Sequence, residues 1–369
     1  MQFIKASRDA ILRPLTTVAG IVERRHTLPI LANVLLRKEA DVVSFLATDV
    51  EIQIQTTAAL GAGKESGATT VSARKLIDIL RALPEGPEVS ISVANRKATI
   101  QAGRSRFALQ TLGAEEFPTV AVNEHFSASF QLPQKQLKHV FQMVHFAMAQ
   151  QDIRYYLNGL LLVTEGNLVR VVATDGHRLA FCQAEIDGGS LTRNEVIIPR
   201  KTVLELQRLL GDNDEAVLID VAANQVRFRF GEVEMVSKLV EGKFPDYQRV
   251  IPSGYKKAVL IQREALASSL ARASILTSDK FRGVRLSLAP GVLKIQTSNA
   301  EQEEAIEELE VDYAAEPLEI GFNVGYLQDV LGNLRSEQVQ IEFGDSNTSA
   351  LLTVPGDTTF RYVVMPMRI

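Results

Sequence analysis

The sequence predicts an α+β fold built from three tandem copies of one unit, each with two helices and an antiparallel sheet. The main observation is internal repetition: segments 31–55 and 157–183 align without a gap through their shared "ATD", which places Asp49 on Asp175. Segment 281–305 aligns with both more loosely. The second observation is that helical and strand-like periodicities recur in the same order in each copy.

The elements of a copy follow from these periodicities. In 74–83 the apolar residues keep helical spacing, and "PEG" ends the helix before "EVSISV" alternates as a strand. "QKQLKHVFQMVHFAMA" also predicts a helix, whereas "NQVRFRFG" and "VLKIQTS" predict strands. A full copy therefore reads helix, several strands, helix, several strands. The six predicted helices span 7–22, 74–83, 134–148, 200–210, 263–275 and 325–335.

The 369 residues exceed what one ordinary domain of about 100–200 residues holds. Polar connectors, "VNEHFSAS" and "IPSGYKK", predict the boundaries between copies. We therefore expect domains at 1–126, 127–254 and 255–369. Each copy closes on a strand followed by an equivalent proline, at Pro118, Pro245 and Pro366.

Composition is that of an ordinary globular protein, with 46% hydrophobic residues. No stretch reaches the roughly 20 apolar residues of a membrane helix, and the N-terminus lacks an apolar signal region, so we expect a cytoplasmic protein. The single cysteine, Cys182, excludes an internal disulfide and a cysteine-based zinc site. We expect it to be a buried strand residue and not a nucleophile.

The charge of the chain is unevenly distributed. Its net charge of −4 divides into +8 on the six predicted helices and −12 on the remainder. Helix surfaces are often rich in lysine and arginine, which is one explanation. The other is that equivalent helices of the three copies form one basic surface, suited to a polyanion held through phosphate contacts without base readout.

The two ends of the repeat array carry opposite charge. Copy 1 has Arg104 and Arg106 on a strand, and copy 3 has the acidic segment "NAEQEEAIEELEV". A basic strand and an acidic segment at opposite ends favour a head-to-tail contact, which gives a ring if the rotation closes and a filament if it does not. Solvated charge runs remain the alternative explanation.

End to end, the chain resembles the bacterial DNA polymerase III β subunit family, the sliding clamps. The resemblance is carried by "HTLPILANVLL", "QQDIRYYLNGLLL", "VATDGHRLA", "KLVEGKFPDYQRV", "DKFRGVRL", "EQEEA", "IGFNV" and "YVVMPMR". It implies three clamp domains per chain, closing head-to-tail into a homodimeric six-domain ring around double-stranded DNA. It also implies a non-catalytic processivity factor without cofactor or metal.

By this resemblance, the ring tethers the DNA polymerase III α subunit, the clamp loader, other polymerases and repair proteins through short linear peptides. The implied pocket consists of Leu157, Thr174, Gly176, His177, Arg178, Leu179, Pro245, Val250, Asn323, Tyr326, Val363, Met365, Pro366 and Met367. Copy 1 has "VEIQ" where copy 2 has "GHRL", so we expect one pocket per chain, between copies 2 and 3.

Two further sets of residues follow from the same resemblance. The implied DNA contacts are Arg25, with Arg24 as its alternative, Arg74, Gln151, Tyr155, Tyr156, Arg200 and Lys201. The implied dimer interface consists of Lys75, Arg104, Arg106, Phe107, Ile275, Leu276, Glu301, Glu303 and Glu304.

Two other functions compete with this interpretation. "TDGHR" invites a catalytic role in which Asp175 orients His177 as a base. No glycine-framed serine, metal-binding histidine spacing or phosphate-binding loop accompanies it, and copy 3 has Asn299 at the aspartate position, so catalysis is disfavoured. The remaining alternative is an open-surface scaffold that binds DNA without encircling it.

Overall fold

The computed structural model describes residues 1–23, 28–187, 189–278 and 282–368. The chain forms two compact units. The first unit comprises Met1–Lys135 and Arg208–Leu239, and the second comprises Gln136–Gln207 and Val240–Ile369. Within the described ranges, no helix is both long and apolar enough to cross a membrane.

The α+β prediction is confirmed. The described residues form six α-helices: α1 (Arg8–Ala19), α2 (Ala73–Ala82), α3 (Gln134–Gln142), α4 (Arg200–Leu209), α5 (Arg263–Ala273) and α6 (Val324–Asn333). The strands are β1 (Gln2–Ala6), β2 (Asn33–Glu39), β3 (Val42–Thr48), β4 (Ile52–Ala59), β5 (Gly67–Ser72), β6 (Val89–Ala94), β7 (Lys97–Ala102), β8 (Ser105–Leu112), β9 (Ala128–Pro133), β10 (Gly159–Gly166), β11 (Leu168–Thr174), β12 (Arg178–Glu185), β13 (Leu191–Pro199), β14 (Ala216–Val221), β15 (Gln225–Phe230), β16 (Val233–Lys238), β17 (Lys257–Gln262), β18 (Gly283–Ala289), β19 (Val292–Ser298), β20 (Glu304–Glu310), β21 (Leu318–Asn323), β22 (Gln338–Phe343), β23 (Ala350–Val354) and β24 (Asp357–Val364).

Helix ends follow local chemistry. Ser7 caps α1 by accepting a hydrogen bond from the Ala10 amide at 3.4 Å, which satisfies one of the free amides of the first turn. The helix predicted at 134–148 is shorter than expected. It ends at Gln142, and His145–Ala147 form a 3-10 turn because Val144, at φ −128°, has left the helical region.

The strands repeat the same two four-stranded patterns three times. The first pattern is β5-β2-β3-β4, which recurs as β13-β10-β11-β12 and β21-β18-β19-β20. The second is β1-β6-β7-β8, which recurs as β9-β14-β15-β16 and β17-β22-β23-β24. The predicted internal repeat is therefore present in the hydrogen-bonded topology, although the exact domain boundaries stay a prediction.

Adjacent patterns join edge to edge into larger sheets. β4 pairs antiparallel with β16 in the first unit, and β12 pairs antiparallel with β24 in the second. The four strands of β20-β19-β18-β21 form a separate sheet.

Cys182 lies buried on β12, where burial raises the pKa of its thiol to about 12, as expected of an unreactive core residue.

Candidate functional site

The turn between β11 and β12 is fixed by hydrogen bonds from its own side chains. One carboxylate oxygen of Asp175 accepts from the His177 amide at 2.9 Å and the Arg178 amide at 3.1 Å. The Thr174 hydroxyl accepts from the Gly176 amide at 3.1 Å and donates to the Arg178 carbonyl at 2.6 Å. The turn is therefore rigid, and it presents Gly176 and His177 to solvent.

Glycine is favoured at position 176 by both backbone conformation and packing. Its φ of +91° lies in the region that favours glycine. A Cβ at this position would lie 2.9 and 3.1 Å from the two terminal nitrogens of Arg154. That guanidinium also forms a two-pronged ion pair with Asp152, whose pKa these hydrogen bonds lower to about 2.

Arg178 uses its donors within the protein. Its Nε donates to Asp175 at 3.1 Å, and its terminal nitrogens donate to Asp329 at 2.5 Å and to the Phe146 carbonyl at 2.6 Å. The guanidinium lies 4.4 Å from the ring centroid of Tyr326, and 9% of the side chain is exposed. Arg178 therefore holds the aromatic ring of Tyr326 in place.

The C-terminal segment is tied down at two backbone positions. The Met365 amide donates to the His177 carbonyl at 2.9 Å, and the Met367 amide donates to the Gly321 carbonyl at 2.8 Å. The Met365 and Met367 side chains remain 48% and 37% exposed. Ordered backbone with exposed, flexible thioethers provides a surface that can adapt to different apolar ligands.

An apolar cluster lies beneath these exposed groups. Its buried members are Ala149, Leu157, Leu161, Val163, Val172, Leu179, Phe181, Ile197, Phe244, Tyr247, Leu351 and Val363. Tyr247 stacks on Phe181 with ring centroids 6.0 Å apart. Val250, which follows Tyr247 in a 3-10 turn, is exposed, as is Pro245.

All of the implied pocket residues belong to the second unit. Leu157, Leu179 and Val363 join in the apolar cluster. The Thr174 and Arg178 side chains form hydrogen bonds with other groups of the protein. The Asn323 side chain caps α6 by accepting a hydrogen bond from the Gly325 amide. Sequence reasoning missed three residues that support the site through hydrogen bonds, namely half-buried Phe146 and the exposed Asp329 and Arg154. Only the position of Arg154 inside the "QQDIRYY" motif could have indicated it.

Copy 1 builds the same turn from different side chains. Val50, at φ +77°, occupies the position of Gly176, and the Asp49 carboxylate accepts from the amides of Glu51 and Ile52, as Asp175 does from the equivalent amides. The position of Leu179 is taken by Gln53, which is buried and accepts a hydrogen bond from the Val120 amide at 2.9 Å. The linker after copy 1 is thus hydrogen-bonded to the strand that follows the turn, through the side chain that replaces Leu179. This supports a single pocket per chain.

The implied DNA contacts lie in three places. Arg25 and its alternative Arg24 fall outside the described residues. Arg74 is an exposed residue of α2 in the first unit, 3.8 Å from the carboxylate of Asp78. The remaining residues, Gln151, Tyr155, Tyr156, Arg200 and Lys201, belong to the second unit.

The second-unit candidates differ in exposure. Tyr155 is 57% exposed and meets Tyr156 edge to face at 6.0 Å. Gln151, at φ +56°, is exposed in the same loop. The Arg200 guanidinium lies 3.4 Å from the carbonyls of His145 and Met148, and burial lowers its pKa. Tyr155 and Gln151 are therefore more accessible to a ligand than Arg200.

The implied interface residues lie on open strand edges and nearby helix ends. Arg104 lies in the β7–β8 turn, and β8 carries Arg106 and Phe107, all exposed. Lys75 is exposed on α2, and Ile275 is exposed in the 3-10 turn after α5, beside half-buried Leu276. Glu301, Glu303 and Glu304 are exposed at the start of β20, an edge strand.

Comparison with known proteins covers the whole chain. Models of the DNA polymerase III beta subunit match with the N-terminal domain at 1–121, the central domain at 131–246 and the C-terminal domain at 248–368. The chain is 49% identical to the beta sliding clamp of Pseudomonas putida and 44% identical to that of Escherichia coli K12, over 98% of each chain.

Solved structures agree with these matches. A DNA polymerase sliding clamp from Pseudomonas aeruginosa with ligand superposes with a TM-score of 0.95 at 47% identity, over 100% of both chains. The DNA polymerase III subunit beta from the same organism bound to griselimycin gives a TM-score of 0.96 at 48% identity, again over 100% of both chains.

Proposed function

The chain belongs to the family of the DNA polymerase III beta subunit, and from this premise we propose how its surfaces perform the work of a sliding clamp. A sliding clamp is a processivity factor and not a catalytic subunit, so its surfaces serve binding. Three surfaces are needed: one that closes a ring, one that faces DNA, and one that holds partner proteins.

The repeated topology supports a head-to-tail dimer. Within the chain, β4 pairs with β16 and β12 pairs with β24. The repeat makes β20 the third equivalent of β4 and β12, and it makes β8 the third equivalent of β16 and β24. Among the described residues, β20 has one edge without a paired strand, and the first six residues of β8 pair with β7 alone. Pairing β20 with β8 of a second chain would repeat the two internal junctions.

Side-chain exposure supports the same contact. Ile275 is 76% exposed, Ile306 on β20 is 48% exposed and Phe107 on β8 is 37% exposed. Long exposed edges with apolar side chains are unfavourable unless another strand covers them. Basic residues flank one edge and glutamates the other, which selects the heterologous partner over self-pairing. Because two such contacts close a dimer, the product is a ring.

A ring makes tight DNA contacts unnecessary. If duplex DNA passes through the hole, topology retains it, and weak phosphate contacts from residues such as Arg74, Gln151 and Tyr155 permit sliding without sequence preference. The excess of positive charge on the helices supports their facing the DNA, while the acidic remainder disfavours binding on other surfaces.

The surface around His177, Met365 and Val250 is the proposed partner site. It offers an apolar floor, adaptable methionines and an ordered turn, which suit a short peptide with a glutamine followed by leucine and an aromatic residue or leucine. The α subunit of the polymerase and the clamp loader are the expected carriers of such peptides. The observation that carries this proposal is that the turn of copy 2 exposes Gly176 and His177 next to buried Leu179, whereas copy 1 has Gln53 at the position of Leu179, hydrogen-bonded to the Val120 amide.

Retention on circular DNA tests encirclement. Protein loaded on a nicked circle should stay bound at high salt and be released when the circle is linearised. An open-surface DNA binder would instead leave circular and linear DNA over the same range of salt concentration. Equal release from the two forms would therefore refute the ring, while leaving the peptide site to be tested by binding of the isolated peptide.

A further inference from the structure

One loop connects the proposed DNA surface to the proposed peptide pocket. The 149–158 loop, residues 149 to 158, is closed by a hydrogen bond from the Ala149 amide to the Leu157 carbonyl at 3.0 Å. The side chain of Asn158 accepts from the Asp152 amide and donates to the Asp152 carbonyl, both at 2.9 Å. The loop is therefore ordered throughout. It exposes Tyr155 at one side and contributes buried Leu157 to the pocket floor.

Arg154 reaches from this loop onto the pocket turn. One terminal nitrogen donates to the Asp175 carbonyl at 3.1 Å, and the two terminal nitrogens lie 2.9 and 3.1 Å from where a Cβ of Gly176 would be. The same guanidinium is paired with Asp152 at 2.8 and 3.0 Å. Its side chain is nonetheless 44% exposed, so a phosphate approaching the loop can compete for it.

We propose that Arg154 is a positioning residue through which duplex DNA and partner peptide bind antagonistically. A phosphate that attracts the guanidinium removes the donor from the Asp175 carbonyl and uncovers Gly176. The turn that carries His177 then loses a support, and a peptide that binds there must order it again. This inference rests on the proposed function, because it requires both a DNA surface and a peptide pocket.

The expected size of the antagonism is modest. Coupling between two sites of one protein typically changes affinity by about 5- to 150-fold, and a single exposed arginine places the expectation at the low end, about fivefold. Linkage requires that the peptide weaken DNA binding by the same factor. The reciprocal measurement is therefore an internal check on any observed effect.

The test titrates a fluorescein-labelled peptide containing glutamine, leucine and phenylalanine with the full-length protein at low salt. Titrations are run with and without a saturating short duplex of random sequence. We expect the duplex to raise the peptide Kd about fivefold in the unmodified protein. In Arg154→Lys the ratio should fall to about one, since a single ammonium cannot replace the planar fork that holds Asp152 and Asp175 together.

Two further variants separate coupling from general charge effects. Arg193→Lys is the matched control, because Arg193 is also an exposed arginine of the second unit that is paired with carboxylates. Its partners, Glu195 and Glu165, lie outside the pocket turn. It should keep the fivefold ratio. Asp152→Asn removes the carboxylate that competes with phosphate, so its ratio should exceed fivefold.

Hydrogen exchange supplies a second readout. Duplex should accelerate exchange at residues 174–178 in the unmodified protein and leave it unchanged in Arg154→Lys. The coupling would be overturned if the unmodified protein bound both ligands and its peptide Kd were the same with and without duplex. It would also be overturned if Arg154→Lys kept the fivefold increase in peptide Kd. If the unmodified protein failed to bind the peptide even without DNA, the pocket itself would be refuted.

Discussion

Replacing Gly176 with valine is the sharpest test of the pocket turn, because copy 1 has valine at the equivalent position. Val50 adopts φ +77° there, so a valine can be held in this turn. In copy 2 the same residue meets an additional obstacle. Its Cβ would lie 2.9 Å from Arg154, whose guanidinium must move away and lose its hydrogen bond to the Asp175 carbonyl.

The magnitude follows from three contributions. Backbone strain at a non-glycine residue with positive φ costs about 1–3 kcal/mol. Loss of the partly exposed hydrogen bond from Arg154 adds about 0.5 kcal/mol. The lower conformational entropy of the unfolded chain stabilises the variant by about 0.5–1 kcal/mol and offsets part of this loss. We therefore expect Gly176→Val to lower the free energy of unfolding by about 0.5–3 kcal/mol.

Gly176→Val should also weaken peptide binding, which is measured separately from stability. Because the turn positions the His177 carbonyl that anchors Met365, its distortion should raise the peptide Kd about tenfold, equivalent to about 1.4 kcal/mol. Urea unfolding measures the first effect and fluorescence anisotropy the second. Val50→Gly is the matched control and should leave peptide affinity unchanged. Wild-type stability and affinity in Gly176→Val would refute this account of the turn.

Three further predictions test the other surfaces. Deleting residues 365–369 should abolish the backbone anchors of the tail and weaken peptide binding at least tenfold, while light scattering still detects the dimer; undiminished peptide affinity in the folded truncation would contradict the pocket. Phe107→Asp should convert the dimer to monomer, whereas Val42→Asp, at a similarly exposed strand position, should not; a dimeric Phe107→Asp would argue against pairing through β8. Desolvation lowers the pKa of His139 and His145, so the unfolded state binds more protons as the pH falls below about 6.5, and stability should decrease with falling pH by a fraction of the limiting value of about 1.4 kcal/mol per pH unit, with the smaller fraction for the solvent-exposed His139. His139→Gln should reduce that slope in urea unfolding between pH 7.5 and 5.5, and an unchanged slope would exclude His139 as a contributor.

The internal repeat could be predicted because it is a property of the linear sequence. Helical spacing and strand alternation depend on neighbours within a few positions, so α+β class and the threefold recurrence were predictable before any contact was known. The prediction failed in detail where tertiary context intervened, as in the helix that ends at Gln142 instead of continuing to residue 148. Cys182 was placed correctly, since an apolar strand segment predicts burial.

By itself, the sequence determined the repeated α+β unit, the uneven distribution of charge and, through its motifs, membership of the clamp family. Only the tertiary structure decided that Arg178 donates to partners within the protein, that Gln53 binds the linker after copy 1, and that Arg154 packs against Gly176. The physical reason is that such contacts join residues distant in the chain. Their geometry depends on how whole strands and loops pack, which no local periodicity encodes.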